Sequence, residues 1–140
     1  MSILQERFAA IMAGVRQTLE ETASMTHPLV VLFRTALEDE QAALVRLLSR
    51  LKEERTPPLS EIKNDISIIY LNDEVVESTF RAWLRAVQWM DHADSCEAIQ
   101  LENRFPEIKQ LLRKAAEELK QLYGASAIKF VVPALYQPQA

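Results

Sequence analysis

The chain has 140 residues, the usual length of one domain, and its 49% hydrophobic and 26% charged residues are ordinary for a globular protein. That composition excludes a chain that is disordered throughout. A net charge of -4 also argues against nucleic-acid binding, which needs a strongly basic surface.

The numbers of glycine and cysteine residues narrow the possible folds and sites further. Two glycines in the whole chain favour long helices over a β-sandwich or barrel, and they exclude glycine-rich phosphate-binding loops. A single cysteine, Cys96, excludes an internal disulfide. No apolar run reaches the roughly 18 to 20 residues of a membrane span, so we expect a cytoplasmic protein that does not enter a membrane.

Residues 1–54 predict an antiparallel helical hairpin. Ser2 can cap the first helix, whose apolar stripe includes Gly14 in mid-helix, where glycine marks a close helix crossing or is merely tolerated. A break follows, made of Thr26, His27 and Pro28. Either of the first two can cap the second helix, and the proline suits its first turn. Because the connection is short, we expect the two helices to lie side by side.

Residues 55–60 (Arg-Thr-Pro-Pro-Leu-Ser) form the clearest linker, because two successive prolines stop a helix. Beyond it, the β-branched and aromatic segment 66–71 predicts a strand, followed by a third helix. A fourth helix begins at Phe105-Pro106 and ends at Gly124, and a last strand is predicted over 127–132. Between these two helices, residues 97–102 fit a short strand or a helical continuation.

The order strand, helix, strand, helix, strand predicts a small β-α-β-α-β unit over residues 61–132, covered by the hairpin. The predicted fold is therefore a mainly helical α+β fold in a single domain, with 133–140 as a tail. The alternative is an all-α bundle of four to five helices, in which 60–71 is a short helix and the tail is irregular.

The densest polar cluster is the run Asp91-His92-Ala93-Asp94-Ser95-Cys96. It contains metal-ligand types and a thiol near an imidazole. Neighbours in sequence seldom converge on one site, so we interpret this run as a solvated loop. We predict no catalytic residue, no metal site and no cofactor.

The third helix carries the most information about partners. Its apolar arc is wider than that of an ordinary surface helix, because it extends beyond the core stripe. The extension consists of Val75 and of a stripe of four residues, Ala82, Ala86, Trp89 and Ala93. Either the helix is buried between the hairpin and the sheet, or these four residues face a second chain. Small residues allow close approach, and tryptophan is enriched at interface hot spots.

Two hypotheses about function follow. The first is a non-catalytic protein–protein interaction module, an adaptor or regulatory subunit that self-associates as a homodimer. The second is a small α/β ligand-binding regulator or enzyme with a site past the carboxyl ends of its strands. That site would lie near Asn72, Asp73, Asn103, Arg104 and Tyr136. We favour the first, because the sequence contains no catalytic or phosphate-binding motif.

Overall fold

The computed structural model describes residues 2–52, 55–87 and 101–138. In chain order they form α1 (Ile3–Glu21), α2 (Pro28–Leu51), α3 (Leu59–Val87), α4 (Arg104–Tyr123), the short α5 (Ala125–Ile128) and a 3-10 helix (Ala134–Tyr136). No strand occurs in this part of the chain. The architecture is a helical bundle, so the predicted α+β fold is wrong and the all-α alternative agrees with the structure.

The helices α2 and α3 lie side by side along most of their length. Near one end, Nε of Arg46 donates to Oδ1 of Asp65 at 2.9 Å. Further along, the rings of Phe33 in α2 and Phe80 in α3 pack with their centroids 6.2 Å apart. Because the residue number falls on one helix as it rises on the other, the two helices are antiparallel.

The helices α1 and α4 are also antiparallel and pack closely. Arg104 at the start of α4 donates to Oε1 of Glu21 at the end of α1, at 3.0 Å. One turn further along α4, a Cβ atom built on Gly14 would lie only 3.2 Å from Cγ1 of Ile108. The close helix crossing considered for Gly14 is therefore confirmed.

Four aromatic side chains join α2, α3 and α4 in the core. They are Phe33, Phe80, Trp83 and Phe105, whose ring centroids lie 4.3–6.2 Å apart in the contacting pairs. All four are buried, as are most of the apolar residues three and four positions away along each helix, while Leu29, Leu84 and Ala86 are half-buried. Burial of these stripes supplies the main stabilising force of the bundle.

The strand predicted over 66–71 is wrong, because these residues lie in the middle of α3. Ile62, Ile66, Ile69 and Tyr70 are all fully buried against the bundle, and they recur at helical spacing. β-branched residues lower helix propensity by only a few tenths of a kcal/mol each. Burying one such side chain contributes roughly 1.5–3 kcal/mol, so tertiary packing decides the outcome.

The strand predicted over 127–132 is also wrong. Residues 125–138, here called the C-terminal segment, form α5, a turn and the 3-10 helix. Ile128, Val132 and Tyr136 are buried at intervals of four residues. Ser67 of α3 donates from Oγ to the carbonyl oxygen of Val131 at 3.1 Å. The segment predicted as a strand and a tail therefore packs against the helices.

The remaining strand of the predicted β-α-β-α-β unit, over 97–102, falls mostly outside the described residues. Leu101 and Glu102, which do lie inside them, are helical. The unit assigned to 61–132 is thus replaced by α3, α4 and α5. The linker assigned to 55–60 ends earlier than expected, because α3 begins at Leu59.

Several helix boundaries agree with those predicted from the sequence. The Ser2 side chain accepts a hydrogen bond from the Gln5 amide at 3.1 Å. The imidazole of His27 accepts one from the Leu29 amide at 3.1 Å and caps α2. Gly124 follows α4 with φ = 92°, a conformation that favours glycine.

Candidate functional site

One side of α3 carries a line of apolar and small residues that does not face the core. We call it the outer face of α3, and it consists of Leu71, Val75, Ser78, Ala82 and Ala86. At 100° per residue these five positions fall within a sector of about 80°, roughly opposite the buried stripe. The outer face is therefore a continuous strip along one side of a helix that is already packed on the other.

Two exposed apolar side chains lie on this strip. Leu71 is 54% exposed and Val75 is 46% exposed, one turn apart. Ser78 is exposed as well, while Ala82 and Ala86 are half-buried. Contiguous exposed apolar surface of this kind is typical of interaction sites.

The sequence-predicted interface is only partly within the described structure. Ala82 and Ala86 lie on the outer face of α3, as the helical spacing requires. Trp89 and Ala93 fall outside the described residues, and so does the polar run 91–96. The sequence interpretation placed Val75 in the extended apolar arc but not in the proposed interface. It missed Leu71, because it placed 66–71 in a strand and began the helix after it.

Charged residues border one side of the outer face. Arg81 donates from Nη2 to Oε1 of Glu77 at 2.9 Å, and Lys109 of α4 donates to the other oxygen of Glu77 at 2.5 Å. Although burial opposes it, this pair of hydrogen bonds lowers the pKa of Glu77. Glu74 lies half-exposed one turn before Ser78, on the same border as Arg81.

A second feature lies on the opposite, buried side of α3. Glu40 of α2 is 0% exposed and Asp73 of α3 is 4% exposed, and the two carboxyl groups interact. Tyr136 donates from its hydroxyl to Oδ2 of Asp73. Neither carboxyl oxygen of Glu40 has a hydrogen-bond partner within the described residues. An ionised carboxylate in such surroundings would be strongly destabilised.

The two carboxyl groups are not equivalent. Burial raises the pKa of Asp73 to about 6, although the Tyr136 hydrogen bond and the charge of Lys109 act in the opposite direction. Burial also raises the pKa of Glu40 well above its ordinary range, and the negative charge of Asp73 adds to the rise. Burial therefore favours the protonated form of both groups, and ionisation of Asp73 further opposes ionisation of Glu40.

Aromatic rings and a backbone carbonyl enclose this carboxyl pair. The rings of Tyr70 and Tyr136 pack edge to face with centroids 5.1 Å apart. Tyr70 donates from its hydroxyl to the carbonyl oxygen of Leu112 in α4 at 2.6 Å. In this conformation a dissolved substrate cannot reach the pair. Its chemical capacity is to hold a proton in the core and to bind the C-terminal segment through Tyr136.

The polar site of the second hypothesis assembles only in part. Asp73 and Tyr136 are hydrogen-bonded, but the Asn72 side chain donates to the carbonyl oxygen of Ile68 within α3. Asn103 is exposed beside the start of α4, and Arg104 pairs with Glu21 of α1. These residues do not surround a common pocket, and the strand ends on which that hypothesis depended do not exist in the described chain.

Glu40 was missed by the sequence interpretation, although a signal was present. It occupies a position in the buried stripe of α2, between Leu37 and Leu44 at spacings of three and four. A charged residue inside an apolar stripe needs a partner or a proton. That observation identifies Glu40 as unusual, but its interaction with Asp73 follows only from the packing of α2 on α3.

No family model, no curated protein and no solved structure matches this chain. Among the described residues, no group of three or more histidine, cysteine, aspartate or glutamate side chains could hold a metal ion. None of the described helices is long and apolar enough to cross a membrane.

Proposed function

We propose that this chain is a non-catalytic protein–protein interaction module that binds its partner through the outer face of α3. The observation that carries the proposal is the pair Leu71 and Val75, about half exposed one turn apart on a helix whose other side forms the core. Solvent-exposed apolar residues are individually common, but a line of them continued by small residues suits a helix-packing surface.

The energetics support a binding role for this strip. Fully burying a leucine or valine side chain contributes roughly 1.5–3 kcal/mol, so covering the exposed halves of Leu71 and Val75 contributes about 1 kcal/mol each. Ser78, Ala82 and Ala86 have short side chains, so a partner backbone can approach α3 closely along the same line. A partner that supplies its own apolar residues would thus gain contact without rearrangement of the bundle.

The test replaces Leu71 and Val75 by aspartate in one double variant. A matched control carries aspartate at Val31 and Leu32, which are 51% and 55% exposed on α2. The measurements are the mass of the protein in solution over a dilution series, affinity capture of partners, and the thermal midpoint of each variant. We expect the L71D/V75D variant to lose its complex and keep its fold, whereas the V31D/L32D control keeps both.

Equal binding by the wild type and by L71D/V75D would contradict the proposal. Loss of binding in V31D/L32D with retention in L71D/V75D would place the interface on α2 instead.

A further inference from the structure

We propose that the partner of the outer face of α3 is a second copy of this chain, packed antiparallel about a two-fold axis. This inference rests on the interaction function proposed above and adds the partner and its orientation. The argument uses side-chain size along the strip and the charges on its border.

Side-chain size along the strip is self-complementary when the helix is reversed. In an antiparallel pair whose axis lies between the levels of Val75 and Ser78, Leu71 faces Ala82 of the second copy and Val75 faces its Ser78. Each large side chain then meets a small one, and the two-fold axis repeats both layers. The four layers cover about 17 Å of helix, at a rise of about 1.5 Å per residue.

Two of the charges on the border, Glu74 and Arg81, are complementary in the same arrangement, while the exposed Arg85 lies level with Ile68 of the second copy. Glu74 lies beside Arg81 of the second copy, and Arg81 lies beside Glu74 of the second copy, so the axis produces two ion pairs. The Arg81 side chain is 68% exposed and bonds Glu77 through one nitrogen. Its guanidinium has five N–H donors, so it can hold Glu77 and a second carboxylate together. Lys109 supplies Glu77 with a further cation.

Other arrangements of the two helices lose this match. Sliding the antiparallel pair by one heptad in either direction brings Glu74 beside Glu74 or Arg81 beside Arg81, and like charges at an interface are destabilising. In a parallel pair, Leu71 meets Leu71, while Glu74 faces Thr79 and Arg81 faces Ala86, so no ion pair forms. Size and charge therefore favour one register.

The test uses charge reversal at the two border positions. The single variants E74R and R81E each create two like-charge contacts per dimer, and we expect each to weaken self-association by about tenfold or more. The double variant E74R/R81E restores both contacts and is expected to associate like the wild type. Mixing the two single variants also restores both contacts, so the mixture is expected to form a heterodimer.

The readout is the mass in solution over a dilution series, which should approach twice the 16.0 kDa of one chain for every associating sample. Recovery in the mixture shows that both single variants are folded. If the wild type dimerises and each single variant associates equally well, the antiparallel register is wrong. A wild type that stays monomeric throughout the series would overturn self-pairing. In either case, capture of another partner that L71D/V75D abolishes would leave the proposed function standing.

Discussion

Replacing Glu40 by glutamine should make the protein more stable, by an amount that increases with pH. Glutamine keeps the shape of a protonated glutamate, so the packing between α2 and α3 is preserved. It has no proton to lose, so it removes the cost of keeping an acid neutral in the core. Since both oxygens of Glu40 are buried without a partner in the described chain, the substitution breaks no visible hydrogen bond.

The direction follows from the raised pKa of Glu40. An acid whose pKa is higher in the folded state stabilises the fold in full below its unfolded pKa, and this contribution disappears as the pH rises to the folded value. Between the unfolded and the folded pKa of a buried acid, each pH unit lowers the free energy of unfolding of the wild type by about 1.4 kcal/mol. The pKa of Asp73 is raised from 3.8 to about 6. Ionisation of Asp73 therefore lowers the free energy of unfolding by about 3 kcal/mol once the pH has passed 6.

Urea denaturation at a series of pH values between about 5 and 8 measures the effect. We expect the two proteins to be similar near pH 5 and the E40Q variant to gain up to about 1.4 kcal/mol per pH unit above that. The control is E38Q, because Glu38 is exposed on the same helix and should leave the pH dependence unchanged. A wild type that becomes more stable from pH 5 to 8, together with an E40Q variant that is less stable throughout, would mean that Glu40 is ionised and paired in the folded protein.

Three further predictions concern the packing of the bundle. The Y136F variant removes the hydroxyl that bonds Asp73 and should lower the free energy of unfolding by about 1–3 kcal/mol, with faster proteolysis within residues 125–138. At Gly14, G14A should change stability by less than about 1 kcal/mol, because gained helix propensity opposes the 3.2 Å approach to Ile108, whereas G14V should clearly destabilise in a thermal melt. The F33A variant opens a cavity among the core rings and should cost about 3–5 kcal/mol in urea denaturation; a loss below 1 kcal/mol would contradict the packing described.

The helix boundaries were predictable because they depend on local chemistry. The caps at Ser2 and His27 and the glycine stop at Gly124 involve hydrogen bonds and backbone angles within a few residues. The buried stripes of α1, α2 and α4 were predictable for a related reason, since helical spacing alone places apolar residues on one face.

The error at 66–71 has a different origin. The local preference of Ile-Ser-Ile-Ile-Tyr-Leu is for a strand, and nothing within six residues opposes it. The same isoleucines also match a helical stripe that runs from Ile62 to Val87. The chain adopts this longer helical pattern because α2 lies alongside α3 and buries the stripe. Once 66–71 was placed in a strand, Leu71 was lost from the outer face of α3.

The sequence by itself determined the starts of α1 and α2, the end of α4, the apolar face of these three helices, and that the third helix has more apolar surface than one packing partner requires. Only the tertiary structure decided that this helix continues unbroken from Leu59, that Glu40 and Asp73 meet in the core, and that Leu71 and Val75 stay exposed. The physical reason is the range of the interactions. Caps and periodicity act within a few residues, whereas burial, the approach of two carboxyl groups and an uncovered helix face depend on segments that are distant in the chain.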